Sequence, residues 1–287
     1  MFSRTVLQSL LGAGCQVVEV WRSGPPASRL PESAGLGHLP KIPVANLNTL
    51  SGMAGAWGIE LVNITRSQEL LSRRQEWFDS VDVIVAACFP FRVPNALLAL
   101  PACGCLNLHP SLLPAYRGPA PLFWQLRAGL PEGGVTLHLM TEELDAGDIV
   151  AQERLAFPPG MTAALASRQL AELGGRLVVT TLRALNGGIL HGRAQDERLA
   201  SYFSWPQERD FCLSTHWSAE RAFRFVRGTA QWGRPYPLLC ANRTFDIVEV
   251  SGFSREEVLS VPWLWRGDEL WVTFSPGVLH AKVRQIR

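Results

Sequence analysis

Val81-Asp-Val-Ile-Val-Ala-Ala-Cys88 is followed, after a turn-rich interval, by Gly104-Cys-Leu-Asn-Leu-His109. The first run is apolar without alternation, which suits a strand covered on both faces of a sheet. The second predicts the next strand. Outward from this pair, helix and strand signals alternate. Val6, Leu7, Leu10 and Leu11 share one helical face, with Ser3 able to cap the helix and Gly12 and Gly14 able to end it. Gln16–Trp21 reads as a strand, Leu47–Trp57 as a helix, Glu60–Asn63 as a short strand and Ser67–Phe78 as a helix. Downstream, helices are predicted at Asn95–Leu100 and Ala120–Ala128, a strand at Val135–Met140, and a long helix over Met161–Leu185, broken at Gly174-Gly175. Such alternation predicts an α/β fold with a doubly wound, mostly parallel sheet.

Composition changes near Gly187-Gly188. Beyond Ser201 come a helix signal from Ser218 to Arg227 and short segments rich in Val, Trp and Phe, at Phe245–Val250, Leu270–Phe274 and Val278–Val283. They predict a smaller β-rich domain. With 287 residues, the expected partition is residues 1–190 and 200–287. Between the first two strands, Arg22–Pro43 is rich in Pro and Gly and too long for a plain connection, which marks it as a functional or mobile segment.

A hydrophobic fraction of 47% excludes a mainly disordered chain, and a net charge of +2 leaves no strong basic footprint. Lys41 and Lys282 are the only lysines, so the cationic surface is arginine, suited to planar anions. Six cysteines without CxxC or zinc spacing are read as reduced thiols, and no apolar run reaches the length of a membrane helix. A cytoplasmic protein is expected.

The chemistry concentrates in Leu106-Asn-Leu-His-Pro-Ser-Leu-Leu-Pro-Ala-Tyr-Arg-Gly-Pro-Ala-Pro121 and Thr141-Glu-Glu-Leu-Asp-Ala-Gly-Asp148. Asn107 and His109 are two apart, so both side chains point to one face at the carboxyl end of a strand, where open α/β sheets place ligands. Asn donates to an oxygen gaining charge, His binds the same oxyanion or moves a proton, and Asp145 could orient the imidazole. Taken without its neighbours, an Asn-x-His pair at a strand end is more often a loop hydrogen-bonding pair than a catalytic one, and Leu-Asp-Ala-Gly-Asp alone reads as a turn. His138 alternates with apolar neighbours and reads as a strand-face residue. Cys103 and Cys105 read as buried rather than reactive. The tryptophans between 205 and 271 read as core before binding face. Arg224 and Arg227 are candidate phosphate contacts, with a solvated face the preferred reading.

In order and spacing, Asn-Leu-His-Pro-Ser-Leu-Leu-Pro, Arg-Gly-Pro-Ala-Pro and Leu-Asp-Ala-Gly-Asp resemble the signature of the 10-formyltetrahydrofolate-dependent formyltransferases. The Arg117–Pro121 run and Ala86-Ala-Cys-Phe-Pro-Phe-Arg-Val-Pro94 are similar to the methionyl-tRNA branch. The resemblance implies Asn107, His109 and Asp145 as the catalytic set. Ser111, Leu112, Leu113 and Pro114 would line the folate site, with Phe89 and Phe91 flanking the pterin. It also implies a C-terminal OB-like barrel that binds substrate. The formyl donor would be 10-formyltetrahydrofolate, a small-molecule folate, with no metal. Methionyl-tRNA is the implied acceptor. A monomer without membrane contact is expected. Three further readings stay open: formylation of an amino sugar nucleotide, hydrolysis of the formylfolate, and a non-catalytic folate-binding module.

Two departures shape the expectations. The family opens with a strand and a Gly-containing turn, whereas this sequence opens on the helix. The sheet is therefore expected to lack a central strand, and a start upstream of Met1 is expected. The Arg22–Pro43 loop carries only Arg22, Arg29 and Lys41 against Glu32, little charge for a tRNA contact.

Overall fold

The computed structural model of the protein describes residues 2–23, 49–72, 81–185 and 190–284. Contacts divide the chain into two units. The first comprises residues 1–109, 135–153 and 171–196, the second residues 110–134, 154–170 and 197–287. Segments 110–134 and 154–170 thus group with the C-terminal unit rather than with the 1–190 partition read from composition.

In the first unit, helix α1 (Phe2–Gly12) buries Phe2, Val6, Leu7 and Leu11. Ser3 lies inside the helix instead of capping it, and its hydroxyl donates to Ala87 O at 2.6 Å. Strand β1 (Glu19–Ser23) begins three residues later than Gln16 and pairs in parallel with β2 (Glu60–Ile64). Helix α2 (Leu50–Ala56) lies between them in sequence, its Gly52 N–H donating to Thr49 Oγ1. Of the segment predicted as a helix over Ser67–Phe78, Ser67–Ser72 forms a 3-10 helix and the rest lies outside the described residues. Most of Arg22–Pro43 lies outside them too.

The predicted strand 81–88 contracts to β3 (Ile84–Ala87). It pairs in parallel with β4 (Cys105–His109), which pairs antiparallel with β5 (Glu132–Leu139). A short helix α3 (Asn95–Leu98) precedes β4, and helix α4 (Pro121–Ala128) precedes β5. A strand absent from the sequence reading, β6 (Ile149–Ala156), completes the order β3-β4-β5-β6. The α/β sheet therefore stands in two described pieces, β1-β2 and β3-β4-β5-β6.

Helix α5 (Ala163–Ala184) is unbroken through Gly174-Gly175, contrary to the sequence expectation. Two glycines cost a helix about 1 kcal/mol each, and here close packing calls for them. A Cβ on Gly174 would sit 2.5 Å from Leu108 Cδ2, and one on Gly175 2.3 Å from Ser9 Oγ. The pair brings α5 against β4 and α1 rather than ending the helix.

In the second unit, helix α6 (Ala219–Thr229), capped by Ser218, packs on an antiparallel sheet. Its strands are β7 (Tyr236–Cys240), β8 (Arg243–Ser254), β9 (Trp263–Arg266), β10 (Glu269–Thr273) and β11 (Val278–Val283), in the order β7-β8-β11-β10-β9. This is the β-rich part expected from the sequence. Its core joins Phe225, Tyr236, Leu238, Ile247 and Leu270 with Phe123 of α4. The tryptophans split: Trp217 and Trp263 pack on this core, whereas Trp205 is 67% and Trp265 49% exposed. The Arg-Gly-Pro-Ala-Pro run is a clamp. Arg117 pairs with Glu197 through two hydrogen bonds, of 2.6 and 3.0 Å, and its backbone bonds Ser201 and Phe203. A Cβ on Gly118 would fall 2.1 Å from Phe203 O.

Arg224 is no phosphate contact. It is buried, bonded to Glu220 at 2.7 and 2.9 Å, and donates to Phe157 O. Arg227 is exposed.

Two stability measurements check this packing. Gly174→Val should lower the melting temperature through overpacking of roughly 1–3 kcal/mol, whereas Gly12→Ala, with open space around the position, should leave it unchanged or slightly raised. Equal effects would refute the packing role. The Arg255 hydrogen bond, joined by Arg224, holds the Glu220 carboxyl below its ordinary value of 4.5. Its stabilisation is therefore complete above that value and lost as pH falls through the lower folded-state one. Glu220→Gln should be less stable than the parent at pH 7, with the gap closing in acid. A gap independent of pH would assign the loss to packing.

Candidate active site

Strands β4 and β5 set the site by register. Asn107 lies opposite His138 and His109 opposite Thr136, so the three polar side chains Asn107, His109 and His138 belong to neighbouring rungs of one antiparallel pair. Asn107 Nδ2 lies 3.1 Å from His138 Nε2 and donates to Asp145 Oδ1 at 3.3 Å. His138 Nδ1 lies 2.8 Å from Leu139 O. A carbonyl only accepts, so Nδ1 carries the proton and, in the neutral ring, Nε2 accepts from Asn107. Asp145 Oδ1 also stands 3.5 Å from His109 Nδ1 and 3.7 Å from His138 Nε2. One carboxylate oxygen therefore faces the amide and both imidazoles. His109 and His138 are 4% and 2% exposed, which leaves their polar atoms little access to water.

Asp145 arrives on the loop between β5 and β6 in the left-handed region, φ 58°, a conformation Asp tolerates better than most residues. Two pins hold it there. Gln195 Nε2 donates to both Asp145 O and Gly147 O at 2.8 Å. Gly147 lets the loop fold onto the strand, because a Cβ there would meet Leu139 O at 1.9 Å, while Leu139 N–H donates to Asp148 O at 2.9 Å. Of the two aspartates in Leu-Asp-Ala-Gly-Asp, Asp148 is exposed and Asp145 is turned to the histidines.

Phe89 and Phe91 meet edge to face at 5.6 Å and pack partly buried on a cluster of Ile64, Leu70, Val93 and Leu97. Ser111 and Leu113 are buried in the second unit, where the Ser111 hydroxyl donates to Ala115 O at 2.7 Å. Leu112 and Pro114 are half-buried there, and the Leu113-Pro114 peptide is cis. Cys105 is buried, which pushes its thiol up to about 12, in line with an inert core residue. His138 is the member the sequence reading missed. Only the register opposite Asn107 reveals it.

Residues 62–182 match the family described as Formyl transferase. A methionyl-tRNA formyltransferase from Marinobacter nauticus is 32% identical over 232 residues, covering 80% of this chain and 71% of that protein. The chain belongs to the formyltransferase family. Methionyl-tRNA formyltransferases from Synechococcus sp. and Moorella thermoacetica are 38% and 37% identical over 52% and 56% of the chain. These matches span about half the length of those relatives, 46% and 52%. Among solved structures, the sugar 3N-formyltransferase WlaRD superposes with a TM-score of 0.62 at 15% identity, over 100% of this chain and 95% of that one. An N-formyltransferase from Helicobacter canadensis does so with 0.58 at 14%, over 82% and 83%. At such identities the likeness is one of fold, and it agrees with the α/β architecture described above.

Gln195→Ala should release the Asp145 loop. Amide exchange over residues 145–148 should quicken by at least about tenfold, while β4 and β5 stay slow. Unchanged exchange would mean the loop is held by other contacts.

Proposed function

We propose that this protein transfers the formyl group of 10-formyltetrahydrofolate to an amine, and that the amine is the amino group of methionyl-tRNA. The observation that carries the reaction is the convergence of Asn107, His109 and His138 on Asp145 Oδ1 at 3.3, 3.5 and 3.7 Å in the first unit. The acceptor is supported by the 32% identity to a protein named methionyl-tRNA formyltransferase over 71% of its length. The donor set fits a formyl group, with an amide N–H and an imidazole for its oxygen.

Direct transfer follows from these groups. The acceptor nitrogen attacks the formyl carbon, and the carbonyl oxygen becomes an oxyanion. Asn107 can meet it by redirecting the N–H that now points to Asp145 at 3.3 Å, the longer of its two contacts, while His138 keeps the other. His109, protonated and paired to Asp145 through Nδ1, adds a charged donor. The tetrahedral adduct collapses by breaking the bond to N10 of the folate. The proton lost by the attacking amine ends on that nitrogen, relayed by the His109–Asp145 pair. Preorganised donors of this kind each contribute about 10²–10³ in rate. Ser111–Pro114 would border the folate, and Phe89 and Phe91 offer apolar ring surface for the pterin. Residues 1–190 would carry the chemistry and 200–287 would bind substrate, in a monomeric cytoplasmic protein.

Consumption of 10-formyltetrahydrofolate with methionyl-tRNA, a nucleotide amino sugar or water as the only acceptor tests the reading. Turnover confined to the sugar would replace the acceptor, and turnover with water alone would make the protein a hydrolase. Asn107→Ala and His109→Ala should each lower kcat by about 10² or more. Near-normal rates would remove them from the reaction. His138→Leu should lower kcat about tenfold with little change in KM, as expected of a positioning residue, and His138→Gln, which restores an acceptor for Asn107, should recover part of the loss. A rise in KM alone would assign His138 to binding.

A further inference from the structure

In the second unit, aromatic rings and guanidinium groups form one continuous stack. Tyr116 stacks on Phe203 at 5.4 Å, and Phe203 stacks on Trp124 at 4.9 Å. Arg127 of α4 lies 5.7 Å from the Trp124 ring and 5.2 Å from the Trp217 ring, and Arg221 of α6 lies 4.0 Å from Trp217. Both arginines are half-buried, and the backbone fixes both. Arg127 Nε donates to Asp210 O at 2.7 Å, and Arg221 Nε donates to Arg127 O at 3.0 Å. The approach of Arg221 needs Gly129 at the end of α4, because a Cβ there would stand 2.8 Å from Arg221 Cγ. Each Nε is thus engaged, while Nη1 and Nη2 of both residues meet no hydrogen-bond acceptor among the described residues. The neighbouring carboxylates are committed elsewhere. Asp210 Oδ2 accepts from the Gln207 N–H at 2.8 Å, Glu208 pairs with Arg234 at 3.2 Å, and Glu220 pairs with Arg224 and Arg255, each at 2.7 Å. Burial, and then the charge of Arg127, hold the Arg221 guanidinium below its ordinary value. Two like charges half-removed from water without a counter-charge are unfavourable.

We propose that Arg127 and Arg221 form the binding site of a phosphate monoester, held by two guanidinium forks beside the Trp217 ring. Arginine binds phosphate through two parallel N–H···O bonds, and the unengaged Nη edges are the donors for them. Two positive charges are balanced by a dianion, and a phosphate monoester carries about −1.5 to −2 at pH 7. A phosphate diester carries a single charge and would leave one guanidinium uncompensated. Because both groups lie on one indole, a compact anion with all its oxygens on one atom reaches both. The stacked rings and the two Nε bonds hold the forks before the anion enters, so little side-chain freedom is lost on binding. Every residue of the site belongs to the second unit, and the inference does not depend on the reaction proposed above.

The test titrates the full chain with methyl phosphate and with dimethyl phosphate, the same group with and without its second charge. Binding is read from tryptophan emission and from broadening of the phosphorus NMR line. Methyl phosphate should bind saturably, at least about tenfold more tightly than dimethyl phosphate, and should weaken as salt rises. Arg127→Gln and Arg221→Gln should each weaken it at least about tenfold. Arg221→Lys, which keeps the charge and loses the fork, should weaken it several-fold. Arg243→Gln removes a guanidinium that lies 5.2 Å from the Trp263 ring and should leave binding unchanged. Because the two arginines also pack, each variant is melted with and without methyl phosphate. The parent should gain stability from the ligand, and the Arg127 and Arg221 glutamine variants should gain none. Absence of saturable binding by methyl phosphate would overturn the proposal. So would equal binding by the parent and both glutamine variants, or an equal loss in Arg243→Gln. Dimethyl phosphate binding as tightly as methyl phosphate would overturn the monoester in favour of a phosphodiester chain. No readout involves formyl transfer, so failure here leaves the proposed reaction untouched.

Discussion

The Asp145 carboxylate is the point on which the site turns. One oxygen faces the Asn107 amide, the His109 imidazole and the His138 imidazole within 3.7 Å. A single negative charge among groups this well shielded has to be held in place, because a carboxylate free to swing away would leave two buried rings and an amide without their common partner. Much of the local architecture answers that need. The antiparallel β4–β5 pair fixes two strands' worth of side chains, Gln195 ties the loop carbonyls, and Gly147 allows the loop to lie against Leu139. The left-handed backbone at Asp145 is tolerable only because these contacts over-determine it.

The same oxygen also sorts the roles of the two histidines. Both lie near Asp145, but His138 spends Nδ1–H on its neighbour's carbonyl at 2.8 Å and so is committed to accepting at Nε2. His109 turns Nδ1 toward the carboxylate, at 3.5 Å. A proton added to either ring nitrogen would face Asp145 Oδ1, but one added to His138 Nε2 would also remove the acceptor for Asn107. The geometry therefore separates a ring suited to carrying charge from a ring suited to aiming an amide. Identical side chains on neighbouring rungs acquire different chemistry from their hydrogen bonds alone.

Asn107, His109 and Asp145 were legible because strand period and turn chemistry are local. Two residues apart on a strand means one face, and Leu-Asp-Ala-Gly-Asp means a turn. His138 was not legible, since its partner depends on the register between β4 and β5, and no pattern within 135–140 encodes register with a distant strand. The Gly174-Gly175 misreading has the same origin. Local propensity treats paired glycines as a break, but the cost of the pair is local while the benefit, contact with Leu108 and Ser9, comes from elements far away in the chain. Arg224 looked like a surface cation for want of the information that Glu220, one turn earlier, and Phe157 O, far upstream, would enclose it. Strand β6 was hidden because Ile149–Ala156 carries Gln152, Glu153 and Arg154 in succession, the last two exposed, and alternates only weakly.

The sheet edges follow a different logic, in which the sequence and the structure constrain each other. Val81–Ala87 reads as a strand buried on both faces, and such a strand normally has partners on both sides as well. In the structure β3 has β4 on one side and a cavity on the other, while β1 meets the same cavity from across it. A polar edge strand with charges or prolines would be the usual way to leave an edge open to water. The Ile84-Val-Ala-Ala87 edge has neither, and α1 lines the gap with Ser3, Val6, Leu7 and Leu10.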